Sequence, residues 1–260
     1  MMRERARGIQ SIEVSGRILH ALSLASEPMM LKQLAQSAGL VPAQCHAYLT
    51  SMRHVGLVQQ DPLSGLYRVG SFTRQLGNAW LKSDPLAAEA IRVLTDISDK
   101  ADVMSLLVVW GIAGPTIVHV NAGRIQTALN IRQGTLFSVT GTATGRAFAA
   151  FGTAPDLQDR IATELGQSRR SDALGEVMTR ENFERQVDIA RERGYATTEG
   201  APIPGINAVS TPVFGENGQL CFVLTIIGPT SCLPVGADTP AVRALLEATR
   251  QLNGASDEPA

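Results

Sequence analysis

The segment from Pro42 to His54 presents one face made only of small or hydrogen-bonding side chains. At helical spacing these residues are Ala43, Gln44, His46, Ala47, Thr50, Ser51 and His54. None of them is a carboxylate, so the face does not repel phosphate. A Gln amide pairs with the edge of adenine and hydroxyl groups pair with several bases, each good bidentate pair contributing about 1–3 kcal/mol. The chemistry that these side chains indicate is base recognition in the major groove of duplex DNA.

The elements that must position this face form a helix-turn-helix followed by a hairpin. A helix from Leu31 to Ala38 ends at Gly39, a residue suited to a left-handed C-terminal position, and Pro42 suits the first turn of the next helix. The buried stripe of that second helix is predicted at Cys45, Tyr48, Leu49, Met52 and Val55. The helix stops at Gly56, and two short strands flank the turn 61–65. This order is typical of a winged helix, whose second helix enters the major groove.

Charge favours DNA binding over the alternative of a small packed domain with no nucleic-acid role. Up to Lys82 the chain has nine Lys and Arg against four Asp and Glu, a net charge of +5. The rest has fourteen against twenty, a net charge of −6, which gives the overall −1. A basic start in an acidic protein indicates that phosphate meets this part of the chain. Arg3, Arg5 and Arg7 form either a DNA-contacting arm or a solvated tail.

Two further helices are predicted beside the helix-turn-helix. The first, Gly8 to Ala25, has Ser11 as its expected N-cap and an apolar side at Ile12, Ile18, Leu19, Leu22 and Ala25. The second spans 71–83, and its apolar side holds Phe72, Leu76, Ala79 and Trp80. That side suits either a dimer contact or packing within the chain. Ser83-Asp84-Pro85 breaks the helix and marks a domain boundary.

The remainder predicts an α+β domain in which helices flank an antiparallel sheet. Helices are expected over 84–100, within 140–151, and over 156–165, 180–193 and 239–252. Strands are expected at Val103–Trp110, Thr116–Val120, Thr127–Ile131, Ala208–Phe214 and Leu220–Ile227.

Composition excludes several classes of protein. A chain of 260 residues with 44% hydrophobic residues suits two globular domains. No apolar run approaches the roughly twenty residues needed to span a bilayer, and no signal core follows the charged start, so a cytoplasmic protein is expected. Cys45, Cys221 and Cys232 lack metal-ligand spacing. We therefore expect no disulfide, no metal site and no cofactor.

An enzyme would need a nucleophile and a base. Cys221 and His119 are the Cys–His candidates of the C-terminal part, and both lie in apparent strands, where a buried structural thiol is the expected role. The sequence has no Gly-x-Ser-x-Gly, HExxH or Walker motif, and TGTATG lacks the lysine of a phosphate loop. The sequence is interpreted as that of a protein without enzymatic activity.

Several short motifs, in their order and spacing, resemble the IclR (isocitrate-lyase-regulator) family of bacterial transcription factors. They are GIQSIE at 8–13, LKQLAQSAGL at 31–40, GLVQQDPLSGLYRVG at 56–70, TGTATGRAFAAF at 140–151, RERGYA at 191–196 and the PVF…G…IIGP pattern from 212 to 229. The resemblance implies a winged helix-turn-helix over 1–70, a linker helix over 71–83, a GAF-like effector-binding and oligomerisation domain over 84–254 and a flexible tail over 255–260. It also implies a homodimer or homotetramer bound to a pseudo-palindromic operator in double-stranded DNA.

One position departs from the family, whose recognition helices often carry an Arg where this chain has Ala47. Base contacts then fall to Gln44, His46, Thr50 and Ser51, while Lys32, Arg53 and Arg68 suit phosphate. For His46 and His54 the alternative is an ordinary surface histidine. The full predicted DNA-binding set is Lys32, Ala43, Gln44, His46, Ala47, Thr50, Ser51, Arg53, Ser64 and Arg68.

The resemblance also implies a pocket for a small effector between the sheet and the loop that leads into a short helix. The matching positions are Ala143, Thr144, Thr198, Ala208, Ser210, Thr225 and Ile227. Small and hydroxyl side chains leave volume for a ligand and can hydrogen-bond to it. Backbone N–H groups before the helix suit a carboxylate. Thr198 replaces an Asp of some relatives, which puts a shared ligand in doubt.

Two more residues join the predicted ligand site on physical grounds. Arg132 follows an apolar strand and is expected to be partly buried, where it needs an anionic partner, either an effector carboxylate or an internal Asp or Glu. Trp110 ends a strand and suits either the wall of an aromatic pocket or core packing. An aromatic or other small organic acid is therefore the expected ligand class.

These observations predict a regulator of a catabolic or metabolic operon whose operator affinity changes when the small organic acid binds. The sign of the effect, repression or activation, is open. The alternative is a sensor that acts through protein contacts and binds DNA weakly or not at all.

Overall fold

The computed structural model describes residues 8–25, 27–123, 131–167 and 178–255. The chain divides into two compact units, an N-terminal unit up to Asp84 and a C-terminal unit from Pro85. Three expectations lie outside the described residues: the basic arm at Arg3, Arg5 and Arg7, the strand Thr127–Ile131 except its last residue, and the tail after residue 255.

The N-terminal unit is a helix-turn-helix with a two-stranded hairpin, as the sequence predicted. Its elements are α1 (Gln10–Leu24), α2 (Leu31–Ser37), α3 (Pro42–His54), β1 (Val58–Gln60), β2 (Tyr67–Val69) and α4 (Ser71–Ser83). The turn after α2 depends on Gly39, whose φ of 64° is open to glycine but costly for other residues. β1 pairs antiparallel with β2, and Met29 exchanges two backbone hydrogen bonds with Tyr67, of 2.9 and 2.8 Å.

A shared core fixes α3 against the other elements of this unit. Cys45, Leu49 and Met52 of α3 are buried in one cluster with Ile18 of α1 and Leu34 of α2. Burial raises the pKa of the Cys45 thiol, so that thiol is protonated at neutral pH. The face of α3 opposite to this stripe is left for solvent or a partner.

The sequence placed three residues of this unit wrongly. Ile12 is 68% exposed, because it lies two residues before buried Val14 and so about 200° around the helix from it. Val55 is 58% exposed, because α3 ends at His54 and Val55 is its C-cap. Ser11 is not the N-cap of α1, since the helix begins at Gln10 with Ile9 in that position.

Leu49 and Val55 provide a stability test within one segment. We expect Leu49→Ala to lower the free energy of unfolding by about 2–5 kcal/mol, because the fully buried side chain leaves a cavity. Val55→Ala is expected to change it by no more than about 0.5 kcal/mol. Urea denaturation followed by circular dichroism measures both. Equal losses from the two substitutions would contradict the burial of this helix.

The C-terminal unit is built on a five-stranded antiparallel sheet with helices on both faces, which confirms the predicted α+β class. Its elements are α5 (Pro85–Ala101), β3 (Met104–Gly111), β4 (Gly114–Asn121), α6 (Ala143–Phe151), α7 (Leu157–Gln167), α8 (Arg180–Arg193), β5 (Ala196–Glu199), β6 (Ile206–Phe214), β7 (Leu220–Pro229) and α9 (Pro240–Ala255). The strand order is β4-β3-β7-β6-β5. The sequence analysis did not predict β5, and it predicted an end of the last helix at residue 252, three residues before the observed one.

Alternation along the strands separates the two faces of this sheet. Leu106 and Val108 of β3 share a buried cluster with Phe148 of α6. Ser105 faces the other way, because its Oγ donates to the Leu94 carbonyl of α5 at 2.9 Å. α6 therefore packs against one face of the sheet and α5 against the other.

Candidate functional site

The polar face of α3 is open, as base recognition requires. Gln44, His46, Ala47 and Ser51 are exposed, and Thr50 is half-buried. The other predicted contact residues, Lys32, Ala43, Arg53, Ser64 and Arg68, are exposed as well. Their contacts with DNA stay a prediction.

Two hydroxyl groups on this face already have partners within the helix. Thr50 Oγ1 donates to the His46 carbonyl at 2.9 Å, and Ser51 Oγ lies 3.5 Å from the Ala47 carbonyl. Each hydroxyl still has lone pairs that accept a bond from a base amino group. Either hydroxyl can therefore accept a hydrogen bond from a base without rearrangement, whereas it must rotate away from the helix carbonyl before it can donate one to a base.

Hydrogen bonds tie the recognition helix to the hairpin. Arg53 Nη1 donates to Gln60 Oε1 at 2.9 Å, and Gln60 Nε2 donates to the Gly65 carbonyl at 3.0 Å. Arg53 thus has an internal partner that the sequence analysis did not foresee. The same hairpin turn is held by Asp61, since the amide and hydroxyl of Ser64 and the amide of Leu63 donate to its Oδ1. These bonds lower the pKa of the Asp61 carboxyl.

The C-terminal unit contains a small cavity at the N-terminal end of α6, partly open to solvent. Five of the predicted ligand residues line it: Ala143, Thr144, Thr198, Ala208 and Ile227. Seven more that the sequence analysis did not assign complete the wall: Ile131, Phe137, Thr142, Ala201, Pro202, Ile203 and Ile206. The wall is mostly apolar, with three threonines as its polar members.

The start of α6 is fixed by close backbone packing. Thr142 is the N-cap, and its Oγ1 accepts from the Gly145 amide at 3.0 Å and donates to the Ser138 carbonyl at 2.8 Å. A Cβ at Gly145 would overlap the backbone of Ser138 and Val139. The glycine of the TGTATG motif therefore brings the helix start against the loop beside the cavity.

Glu164 of α7 anchors that loop. Its carboxylate accepts from Ser138 Oγ at 2.6 Å, Val139 N at 2.9 Å, and Thr140 N and Oγ1 at 3.0 and 2.8 Å. Burial alone would raise the pKa of Glu164, but these hydrogen bonds outweigh it, and the pKa lies below the ordinary value. Sequence reasoning missed this role, because one glutamate on an amphipathic helix resembles a solvated residue.

Ser210 and Thr225 do not line the cavity. Both are fully buried, and their hydroxyl groups lie 2.8 Å apart. Thr225 Oγ1 is also 2.9 Å from Thr144 Oγ1, so this pair stands behind Thr144. The prediction placed both residues near the cavity, but they lie behind its wall, since strand periodicity does not reveal which residue a helix covers.

The structure also corrects Arg132 and Trp110. Arg132 is exposed and is absent from the cavity wall, because its backbone lies in a surface turn where its amide donates to Thr135 Oγ1. Trp110 Nε1 donates to Asp156 Oδ1 at 2.9 Å, and its ring packs edge-on against Phe148. Trp110 lines a separate cavity, so core packing and anchoring of α7 explain it better than a role in the α6 cavity.

Cys221 and His119 do not form a catalytic pair. They lie on β7 and β4, which are separated by β3. Leu107 of β3 aligns with His119 on one side and Leu224 on the other, so the register places Cys221 roughly 14 Å from His119. Cys221 is half-buried rather than fully buried as expected, and burial lowers the pKa of His119.

Neither a metal-binding cluster nor a membrane-crossing helix occurs in the described ranges. No group of three or more His, Cys, Asp and Glu residues there is placed to hold a metal ion. No helix there is both long and apolar enough to cross a bilayer.

Comparison with known proteins agrees with this arrangement. Residues 78–253 match the family described as bacterial transcriptional regulator IclR C-terminal, and residues 11–62 match the IclR helix-turn-helix domain. The glycerol operon regulatory protein of Streptomyces griseus is 28% identical over 235 residues, which cover 89% of this chain and 90% of that protein.

Two solved structures resemble the fold. An IclR transcriptional regulator from Alicyclobacillus acidocaldarius has a TM-score of 0.78 and 24% identity, with 96% of this chain and all of that chain covered. An IclR homologue from Microbacterium hydrocarbonoxydans, solved with 4-hydroxybenzoate, has a TM-score of 0.72 and 17% identity, with 94% and 98% covered. With the helix-turn-helix, its open polar face and both matched regions, the chain belongs to the IclR family of bacterial transcriptional regulators.

Proposed function

We propose that a small organic acid binds in the α6 cavity and changes the affinity of the helix-turn-helix for its operator. The observation that carries this proposal is the cavity itself, which lies at the start of α6 and combines mostly apolar walls with a few hydroxyl groups, as ligand sites do. Its apolar walls suit a hydrocarbon or aromatic body. The helix start, with its partial positive charge, suits a carboxylate.

A relative with the same fold supports the ligand class. The Microbacterium hydrocarbonoxydans homologue was solved with 4-hydroxybenzoate, an aromatic acid. Such a ligand has a flat apolar body with an oxygen group at each end, and the cavity combines apolar walls with Thr142, Thr144 and Thr198. The proposed acid therefore needs no partner from Arg132.

The proposed assembly is a homodimer, or a homotetramer built from it, on a pseudo-palindromic operator. No residue of α4 is buried, and Phe72, Leu76 and Trp80 are 41%, 50% and 36% exposed on that helix. A second copy covering this side would offset the cost of its exposure to water. Two winged helices then match half-sites about one helical turn apart, or a multiple of it. The regulator acts in the cytoplasm, where its operator lies.

The ligand acts by linkage. It shifts operator affinity only as far as its own affinity differs between the DNA-bound and free protein. A mobility-shift assay with the intergenic DNA upstream of the chain's own gene measures this shift, after a thermal-shift screen of aromatic and aliphatic carboxylic acids. A screen without any binder would remove the effector part of the proposal and leave DNA binding intact.

Ala208→Phe tests the cavity directly. The added ring fills the space in front of β6, so we expect ligand affinity to fall at least about tenfold while operator affinity changes less than about twofold. Isothermal calorimetry and the mobility-shift assay give the two values. Ala237→Phe, at an exposed loop position, is the matched control. Unchanged ligand affinity in Ala208→Phe would place the ligand elsewhere.

A further inference from the structure

Three buried hydroxyl groups meet where α6 crosses β6 and β7. They belong to Thr144 of α6, Ser210 of β6 and Thr225 of β7, and none of these residues is more than 1% exposed. Only Thr144 borders the cavity. The question is what the two hydroxyl groups behind it do.

Their distances assign Thr225 as the centre of the group. Its Oγ1 lies 2.9 Å from Thr144 Oγ1 and 2.8 Å from Ser210 Oγ, both within ordinary O–H···O range. The third pair, Thr144 and Ser210, is 3.4 Å apart, which is longer than a normal hydroxyl hydrogen bond. The group is therefore a chain of two short bonds with Thr225 in the middle.

Proton counting shows that one of the three hydroxyl groups has a donor to spare. Each hydroxyl has one proton, so two short bonds use two of the three protons. If the chain runs from Ser210 through Thr225 to Thr144, the proton of Thr144 is left for the cavity. If it runs the other way, the proton of Ser210 is left in a fully buried place with only the 3.4 Å contact. If both ends donate to Thr225, the proton of the fully buried Thr225 is left instead. A buried donor without a good acceptor is unfavourable, so the first direction is preferred.

We propose that Ser210 and Thr225 are positioning residues that turn the hydroxyl proton of Thr144 toward the cavity, so that the site selects ligands with an acceptor oxygen at the start of α6. The inference rests on the proposed effector function and deepens it. Ser210 and Thr225 act without touching the ligand. The chain also strengthens the donor, because a hydroxyl that accepts one hydrogen bond donates the next more strongly.

The experiment uses two pairs of probes with similar shape and unlike acceptor strength. Benzoate is paired with nitrobenzene and 4-methylbenzoate with 4-nitrotoluene, since a nitro group has the shape of a carboxylate but is uncharged and accepts hydrogen bonds weakly. Thr225→Val removes the central hydroxyl at nearly constant volume, and Thr225→Ser restores it. Thr211→Val is the matched control, because Thr211 is also fully buried on β6 and its hydroxyl bonds to Thr249 of α9 instead.

We expect Thr225→Val to weaken binding of the two acids by about tenfold and to leave the nitro compounds within about twofold. Thr225→Ser should restore the acids, and Thr211→Val should change neither class even where it lowers stability. Equal weakening of acids and nitro compounds would overturn the inference, because it would show a packing effect only. Wild-type affinity for the acids in Thr225→Val would overturn it as well.

The same measurements distinguish a failure of this inference from a failure of the proposed function. If the wild-type protein binds acids and nitro compounds equally well, the acceptor selectivity is wrong while the cavity remains a ligand site. If it binds none of the four probes, the inference falls, and the response of operator binding to the aliphatic acids of the screen decides the proposed function.

Discussion

Ala47→Glu is expected to lower operator affinity by about a hundredfold or more. Ala47 is exposed on the polar face of α3, one position from His46 and within reach of Ser51. A carboxylate there faces phosphate and the acceptor-rich edges of the bases, and like-charge juxtaposition in an interface costs several kcal/mol. Since about 1.4 kcal/mol is a factor of ten, such a cost gives the expected loss. Fluorescence anisotropy with labelled operator DNA measures it.

Gln251→Glu is the control for Ala47→Glu. Gln251 is exposed on α9, and its replacement changes the net charge by the same amount. Circular dichroism verifies that both variants keep their helix content. If Ala47→Glu binds the operator like Gln251→Glu, then this face of α3 does not enter the groove, and the assignment of α3 as the recognition helix fails.

Glu164→Gln is expected to lower the free energy of unfolding of the C-terminal unit by about 2–4 kcal/mol. The carboxylate accepts four hydrogen bonds from Ser138, Val139 and Thr140. A glutamine keeps one carbonyl oxygen, which accepts about two of these bonds, and turns an NH₂ group toward the other donors. Each donor left unsatisfied costs about 1–3 kcal/mol, and partial exposure of the site favours the lower part of that range, so about two such donors together give about 2–4 kcal/mol. Hydrogen exchange of the Val139 and Thr140 amides should show the loss of protection locally.

The stabilising contribution of Glu164 to the free energy of unfolding is expected to decrease as the pH falls. Because the pKa of Glu164 is lower in the folded protein than in the unfolded chain, its contribution is complete above the ordinary glutamate pKa of roughly 4.3. The contribution is lost as the pH falls through the lower, folded pKa. The wild type should therefore lose its advantage over Glu164→Gln as the pH is lowered below about 4.

Glu192→Gln is the matched control for this prediction. Glu192 is exposed on α8, so its replacement is expected to change stability by no more than about 0.5 kcal/mol. Denaturant titrations between neutral and acidic pH compare the three proteins. A difference between wild type and Glu164→Gln that stays constant with pH would exclude the carboxylate as the anchor of the loop.

Local backbone rules made the helix-turn-helix predictable. Gly39 and Gly56 adopt positive φ at the ends of α2 and α3, and Pro42 occupies the first turn of α3. Each of these residues acts on its immediate neighbours, so sequence alone identifies it. Val55 was wrongly predicted to be buried, because the helical repeat of apolar residues continues in the sequence after α3 itself has ended.

The cavity was predictable only in part. Ala143 and Thr144 follow from the TGTATG motif, but the wall formed by Ala201, Pro202 and Ile203 depends on where a loop lies after β5 and β6 have paired. The order of layers among Thr144, Thr225 and Ser210 depends on packing between residues far apart in the chain. The prediction that Arg132 is partly buried was wrong for a similar reason. The sequence does not show whether the turn after an apolar run directs a basic side chain inward or toward solvent.

The burial of Cys45 has a consequence for how the protein meets oxidants. The reactive form of cysteine is the thiolate, and burial both shields Cys45 and raises the pKa of its thiol. Cys232, by contrast, is exposed in the loop between β7 and α9. Peroxides and electrophiles are therefore expected to react with Cys232 before Cys45. Oxidation of the exposed thiol would then leave the core behind the proposed recognition helix unchanged.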